Sequence, residues 1–170
     1  DCEHALPKKV KYTKLSFLEK VKEMEDKIAK GDDPYSNALL VGNAFYNASY
    51  FGSVRFFYLN PIIDEYGYRV SAEHWDVLLN MKQAKKYYLL AKEHASNDEQ
   101  RAKITYLLAK VERNEYYNKN FFCKEEYTRE SLDTGLHYRW DAFEELRRYA
   151  HTKYYQEVIA ECGYFKRFVD

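Results

Sequence analysis

SFLEKVKEMEDKIAKGDDPYSNALLVGNAFYNA, residues 16–48, holds a helix, a stop, a start and a second helix. Phe17, Leu18, Val21, Met24 and Ile28 recur at the three-and-four spacing of one helix face. Ser16 with Glu19 three places on has the form of a capping box. Lys27 and Lys30 lie toward the negative end of that helix, and Gly31 suits the left-handed residue that ends it. Asp33 then offers a capping carboxylate before Pro34, whose fixed φ suits a first helical position. The second helix is predicted to run to about Ala48. Two helices joined by so short a link fold back as antiparallel neighbours.

The same punctuation continues outward. The first ten or so residues, with Pro7, read as a lead-in. A turn is expected near Ser49 to Gly52, then a helix carrying Val54, Phe57 and Tyr58 that stops before Pro61. Residues 60–71 read as a loop. Helical pattern resumes after Ser71 and runs to about Ala95, with a break near Asn80. Asn97 caps the next helix, Asp98 and Glu99 favour its positive end, and Ile104, Leu107, Leu108 and Val111 form its apolar stripe. Residues 118–136 are the least periodic. Two final helices are predicted at about 138–150 and 153–168. Thr152 would cap the last, with Tyr155, Val158, Ile159, Cys162, Phe165 and Phe168 as its apolar face. No run alternates as a strand would. The expectation is an all-α fold of antiparallel helix pairs, seven or eight helices, in one domain over 1–170. Because the sequence begins with Asp1, that domain is read as part of a longer chain.

Composition supports helices and narrows function. The 170 residues include only six Gly and three Pro, but eighteen Tyr and ten Phe. Lys plus Arg and Asp plus Glu number 27 each. That balance lacks the basic excess by which proteins release counterions from nucleic acid, so no nucleic-acid partner is expected. The longest apolar stretch, Ala38 to Tyr46, is interrupted by Gly42 and Asn43 and is too short to span a bilayer. Cys2, Cys123 and Cys162 are odd in number and widely spaced, neither a disulfide framework nor a zinc site.

Catalytic and metal constellations are not visible. His4, His74, His94, His137 and His151 never pair at three or four residues, and no HExxH occurs. Glu144 and Glu145 are adjacent, but Glu144 with Arg148 reads as support on a solvated helix face. No nucleophile elbow and no glycine-rich phosphate loop is present. No enzyme activity, metal or cofactor is therefore expected. Asn47-Ala48-Ser49 fits a glycosylation acceptor, but so short a match at a helix end reads as chance. The aromatic excess reads mainly as crowded helix interfaces. Tyr116, Tyr117, Phe121 and Phe122 are the candidates for surface aromatics.

Ala38-x2-Val41-Gly42-x2-Phe45 resembles the first helix of a tetratricopeptide repeat. A small residue there admits a close partner helix, and the aromatic fills the gap beside it. Val54 and Tyr58 lie where such a repeat places its second-helix residues. Ala84, Tyr88 and Ala91 repeat that pattern more cleanly, and Ala102, Tyr106 and Ala109 sit where another first helix follows. Ala38 departs from the large residue of the pattern, Pro61 falls where a small helical residue belongs, and the 34-residue period is not sustained. The expectation stands between a tetratricopeptide-like array and an irregular helical bundle. The array implies a protein- or peptide-binding scaffold, with Asn43, Tyr46 and Asn47 on one first helix and Lys103 and Lys110 on another facing a concave groove. Two longer stretches, ALLVGNAFYNASYFG (38–52) and AHTKYYQEVIAECGYF (150–165), look like helical-repeat proteins exported by gut anaerobic bacteria. That resemblance implies a cell-envelope or periplasmic setting. The aromatics and this setting together make a glycan-binding domain the alternative.

Overall fold

The computed structural model describes residues 12–54, 80–119 and 141–169. Among these residues there are seven α-helices and no strand. They are α1 (Lys14–Ala29), α2 (Pro34–Ala48), α3 (Lys82–Glu93), α4 (Asp98–Tyr117), α5 (Asp141–Leu146), α6 (Lys153–Glu161) and α7 (Gly163–Val169), with a 3-10 turn at Arg147–Tyr149 after α5. The predicted helix over Phe57 and Tyr58, the loop at 60–71, Phe121, Phe122, His4, His74, His137, Cys2 and Cys123 lie outside the described residues. Val54 itself is not helical.

Local chemistry accounts for most boundaries. Gly31 takes φ +74° after α1. Asp33 caps α2 through its carboxylate on the Ser36 N–H, from a left-handed backbone of its own. Asn97 accepts from the Gln100 N–H and Thr152 from the Tyr155 N–H. Three boundaries differ from expectation. Thr13 rather than Ser16 caps α1, because Thr13 accepts from the Ser16 N–H while Ser16 Oγ accepts from the Thr13 N–H. The helix expected to reach residue 150 tightens into the 3-10 turn after Leu146. The single helix expected at 153–168 breaks at Cys162, whose ψ of 100° is extended.

Two cores lie on opposite faces of α4. On one side, Leu39 and Tyr46 of α2 and Ala84, Tyr88 and Ala91 of α3 meet Ile104, Leu107, Leu108 and Val111. There α1 adds Val21 and Met24 against Val41 and Tyr87. On the other side, Ala102, Tyr106 and Ala109 meet Phe143 and Leu146 of α5, Tyr155 and Val158 of α6, and Cys162 and Phe165. A helix buried on two sides must be apolar most of the way round, and the middle of α4 is so from Ala102 to Val111, where Lys103 and Lys110 mark the one charged side. The resulting layers are α1, then α2 with α3, α4 with α5, and α6 with α7. Leu18, expected on the packed face of α1, is instead exposed on its outer face.

Long-range carboxylates fix the C-terminal helices onto α4. Both oxygens of Glu112 accept from the free N–H groups of Asp141 and Ala142 at the start of α5, at 3.0 Å each. Both oxygens of Glu99 do the same for Lys153 and Tyr154 at the start of α6, at 2.7 and 3.0 Å. A carboxylate at a helix N-terminus meets orphan donors and the positive end of the dipole together. On α1, the Lys20 and Lys27 ammoniums hold the Glu23 carboxyl down to about 2.

One buried group is left over. Thr105 is fully buried within α4, and its hydroxyl has no hydrogen-bond partner among the described residues. Burying an unpaired hydroxyl costs roughly 1–3 kcal/mol. Thr105→Val keeps the branched shape and removes that cost. It is expected to stabilise the chain by about 1 kcal/mol, read as a higher urea midpoint at unchanged m-value. A lower midpoint would mean that the hydroxyl has a partner.

Candidate binding face

Through their side chains, α2, α4 and α6 form one line. Tyr46 of α2 is buried against α4, where Asn114 Nδ2 donates to its hydroxyl at 3.1 Å. Asn114 is itself buried and also approaches Met81 Sδ at 3.7 Å. Lys110 of α4 carries its ammonium 4.8 Å from the Tyr46 ring centre and 5.9 Å from that of Tyr106. Tyr106 in turn meets Tyr154 of α6 edge-on at 6.1 Å. Such cation–π contacts orient a lysine while leaving its charge at the surface.

Asn43 and Asn47 occupy the outer side of α2, and much of their hydrogen bonding is internal. Tyr88 lies across Gly42 so closely that a Cβ there would sit 2.5 Å from Tyr88 Cδ1. The Tyr88 hydroxyl reaches past Gly42 and donates to Asn43 Oδ1 at 2.9 Å. Asn47 closes the end of α2. Its Nδ2 donates to the Asn43 carbonyl at 2.9 Å, its Oδ1 accepts from the Ser53 hydroxyl at 3.0 Å, and its carbonyl accepts from the Val54 N–H. The nitrogen that glycosylation would use is thus already a donor within the chain. Gly52 completes this turn, since a Cβ there would come within 2.3 Å of Asn47 Cα.

Of the five residues read from the sequence, the structure joins Asn43 to Asn47 and Tyr46 to Lys110. Lys103 stands two turns before Lys110 on α4, exposed and without an ion pair among the described residues. What faces solvent along this line is therefore Lys103, Lys110 and the remaining amide of Asn43, with Leu40 51% exposed on α2.

One signal for this face was present in the sequence and is not periodic. No Asp, Glu, Lys, Arg or His occurs between Asp33 and Arg55, in a chain that is 32% charged. An entirely buried helix needs no charge, but α2 is not entirely buried, and Leu40 and Tyr50 beyond it are exposed. An uncharged exposed stripe is what a partner covers more readily than water does.

Elsewhere several titratable groups form pairs. Glu145 binds Lys92 at 2.6 Å, and Glu144 contacts Arg147 rather than Arg148, at 3.4 Å. His151 meets Asp98 at 3.0 Å, and the Asp98 carboxyl is held below its ordinary range by Arg101 first and His151 second. Tyr87 donates to Glu25, and burial with that carboxylate pushes the phenol up to about 12. Tyr116 and Tyr117 stack edge-on at 5.9 Å, and Tyr116 packs on the C-terminal core. Among the described residues no three His, Cys, Asp or Glu cluster as metal ligands, and no helix is long and apolar enough to cross a membrane. Compared with protein families, characterised proteins and solved structures, the chain finds no match.

Proposed function

We propose that the chain is a non-catalytic helical scaffold that binds a protein or peptide along the line of α2, α4 and α6. The observation that carries this reading is the charge-free stretch before Arg55, which leaves Leu40 exposed on α2, the helix whose Tyr46 meets Lys110. An extended segment would place an apolar side chain on Leu40 and acidic side chains on the two lysines. Lys110 is partly ordered by its tyrosines, so less side-chain freedom is lost on binding. The tetratricopeptide-like pattern at Ala38 to Phe45 supports the same face, and the resemblance to exported proteins supports a cell-envelope setting. The glycan alternative has less support, because Tyr46, Tyr88, Tyr106 and Tyr155 are buried and the Asn47 and Asn114 amides have partners within the chain.

The test is a random peptide library displayed on phage and panned on the folded chain. Enriched peptides are expected to carry acidic residues around an apolar anchor. Leu40→Glu and Lys103→Glu are each expected to weaken binding about tenfold, with Tm unchanged because both side chains are exposed. Enrichment of peptides indifferent to both substitutions would remove the reading.

A further inference from the structure

We propose that the outer face of α1 is a self-association surface, onto which a second copy of this chain docks its own α1 in parallel. Leu15 is 67% exposed and Leu18 55%, more than any other large hydrophobic among the described residues. They stand three apart on a strip of α1 that adjoins Val21 at Leu18 and turns away at Leu15 from the Val21 and Met24 face, which packs on α2 and α3.

The charges on α1 select the occupant. Glu23 is held by Lys20 and Lys27, Lys22 by Asp26, and Glu25 by Tyr87. Lys14 and Glu19 have no partner among the described residues, and by helical geometry they flank the leucine pair on its two sides. Leu15 and Leu18 therefore occupy the a and d positions of one heptad, with Lys14 at the preceding g and Glu19 at e. In a parallel pair, a residue at g faces the residue five places on in the partner, so each Lys14 meets a Glu19 of the other copy. An antiparallel pair would set Lys14 beside Lys14 and Glu19 beside Glu19. The formal net charge of zero adds no overall repulsion between copies. Lys22, one turn further on the same line, ends the apolar run. One heptad makes a weak contact, formed at high concentration only.

Sedimentation equilibrium on the full chain tests this. The wild-type chain is expected to populate a dimer at roughly millimolar concentration. Leu15→Glu with Leu18→Glu should weaken association at least tenfold without moving Tm. Lys14→Glu alone should weaken it severalfold, and an equimolar mixture of Lys14→Glu and Glu19→Lys chains should restore it. Concentration-dependent amide shifts confined to the first two turns of α1 give the same answer from the unmodified chain, should a variant fail to fold. A wild-type chain that stays monomeric at that concentration overturns the proposal. So does association that survives the leucine substitutions, or a Lys14→Glu chain that associates as tightly as wild type.

Discussion

Replacing Gly42 by alanine is expected to destabilise the chain by about 3 kcal/mol, although alanine is the better helix former by roughly 1 kcal/mol. The added methyl would sit 2.5 Å from Tyr88 Cδ1 and 2.6 Å from Cε1. Relief requires the ring to move, and the ring is fully buried between α2 and α4. Interiors packed like crystals have no room for such a shift, so α2 and α3 must separate. Separation also breaks the Tyr88–Asn43 hydrogen bond. Urea unfolding of Gly42→Ala measures the loss. Adding Tyr88→Leu removes the obstruction, so the double variant should lose less than the sum of the single losses. Additive losses would mean that the ring is not what excludes the methyl.

Gly42 also shows how far the sequence could be read. Its need for a small side chain was visible from the Ala38 to Phe45 pattern, but not the helix that comes close. A local rule looks to the next segment, around Val54 and Tyr58. Among the described residues, the aromatic that crosses Gly42 is Tyr88, beyond the intervening residues 55–79. The caps at Asp33, Asn97 and Thr152 were legible because donor and acceptor lie three residues apart. The Glu99 and Glu112 caps were not, because their partners lie 54 and 29 residues away and nothing local marks those two glutamates.

The break at Cys162 was hidden for a different reason. Tyr155, Val158, Cys162 and Phe165 keep helical spacing straight across it, and all four are buried in one core. Periodicity reports which side chains face inward, and it is blind to a kink that keeps them facing inward. Gly163 was the one local signal of a boundary. The candidate face was legible in the same partial way. Lys103 and Lys110 share a side of α4 by spacing alone. That Asn43, Tyr46 and Asn47 would use their polar atoms inside the chain depends on Tyr88, Asn114 and Ser53, which sequence spacing does not place beside them.

Phe165→Ala is expected to cost about 4 kcal/mol, close to the largest values seen for buried aromatics. Phe165 is fully buried. Its ring lies 5.0 Å from Phe143 and 5.2 Å from Tyr155, and Phe143 is 5.3 Å from Phe168. Truncation leaves a void bounded by aromatic rings, which cannot collapse as readily as flexible side chains do. The core around Phe165 shares with the first core only α4 and the partly buried Ala142. The polar ties across that boundary are the Glu99 and Glu112 caps, the Lys92–Glu145 pair and the Asp98–His151 pair, all charged and near the surface. Surface pairs of this kind contribute little stability by themselves. The lost stability should therefore be unequal along the chain. Hydrogen exchange in Phe165→Ala is expected to accelerate most for α5, α6 and α7, less for α4, and least for the amides of α2 and α3 around Tyr88. Uniform acceleration in all seven helices would instead mean that the two cores unfold as one unit and that α4 transmits the full loss from one to the other.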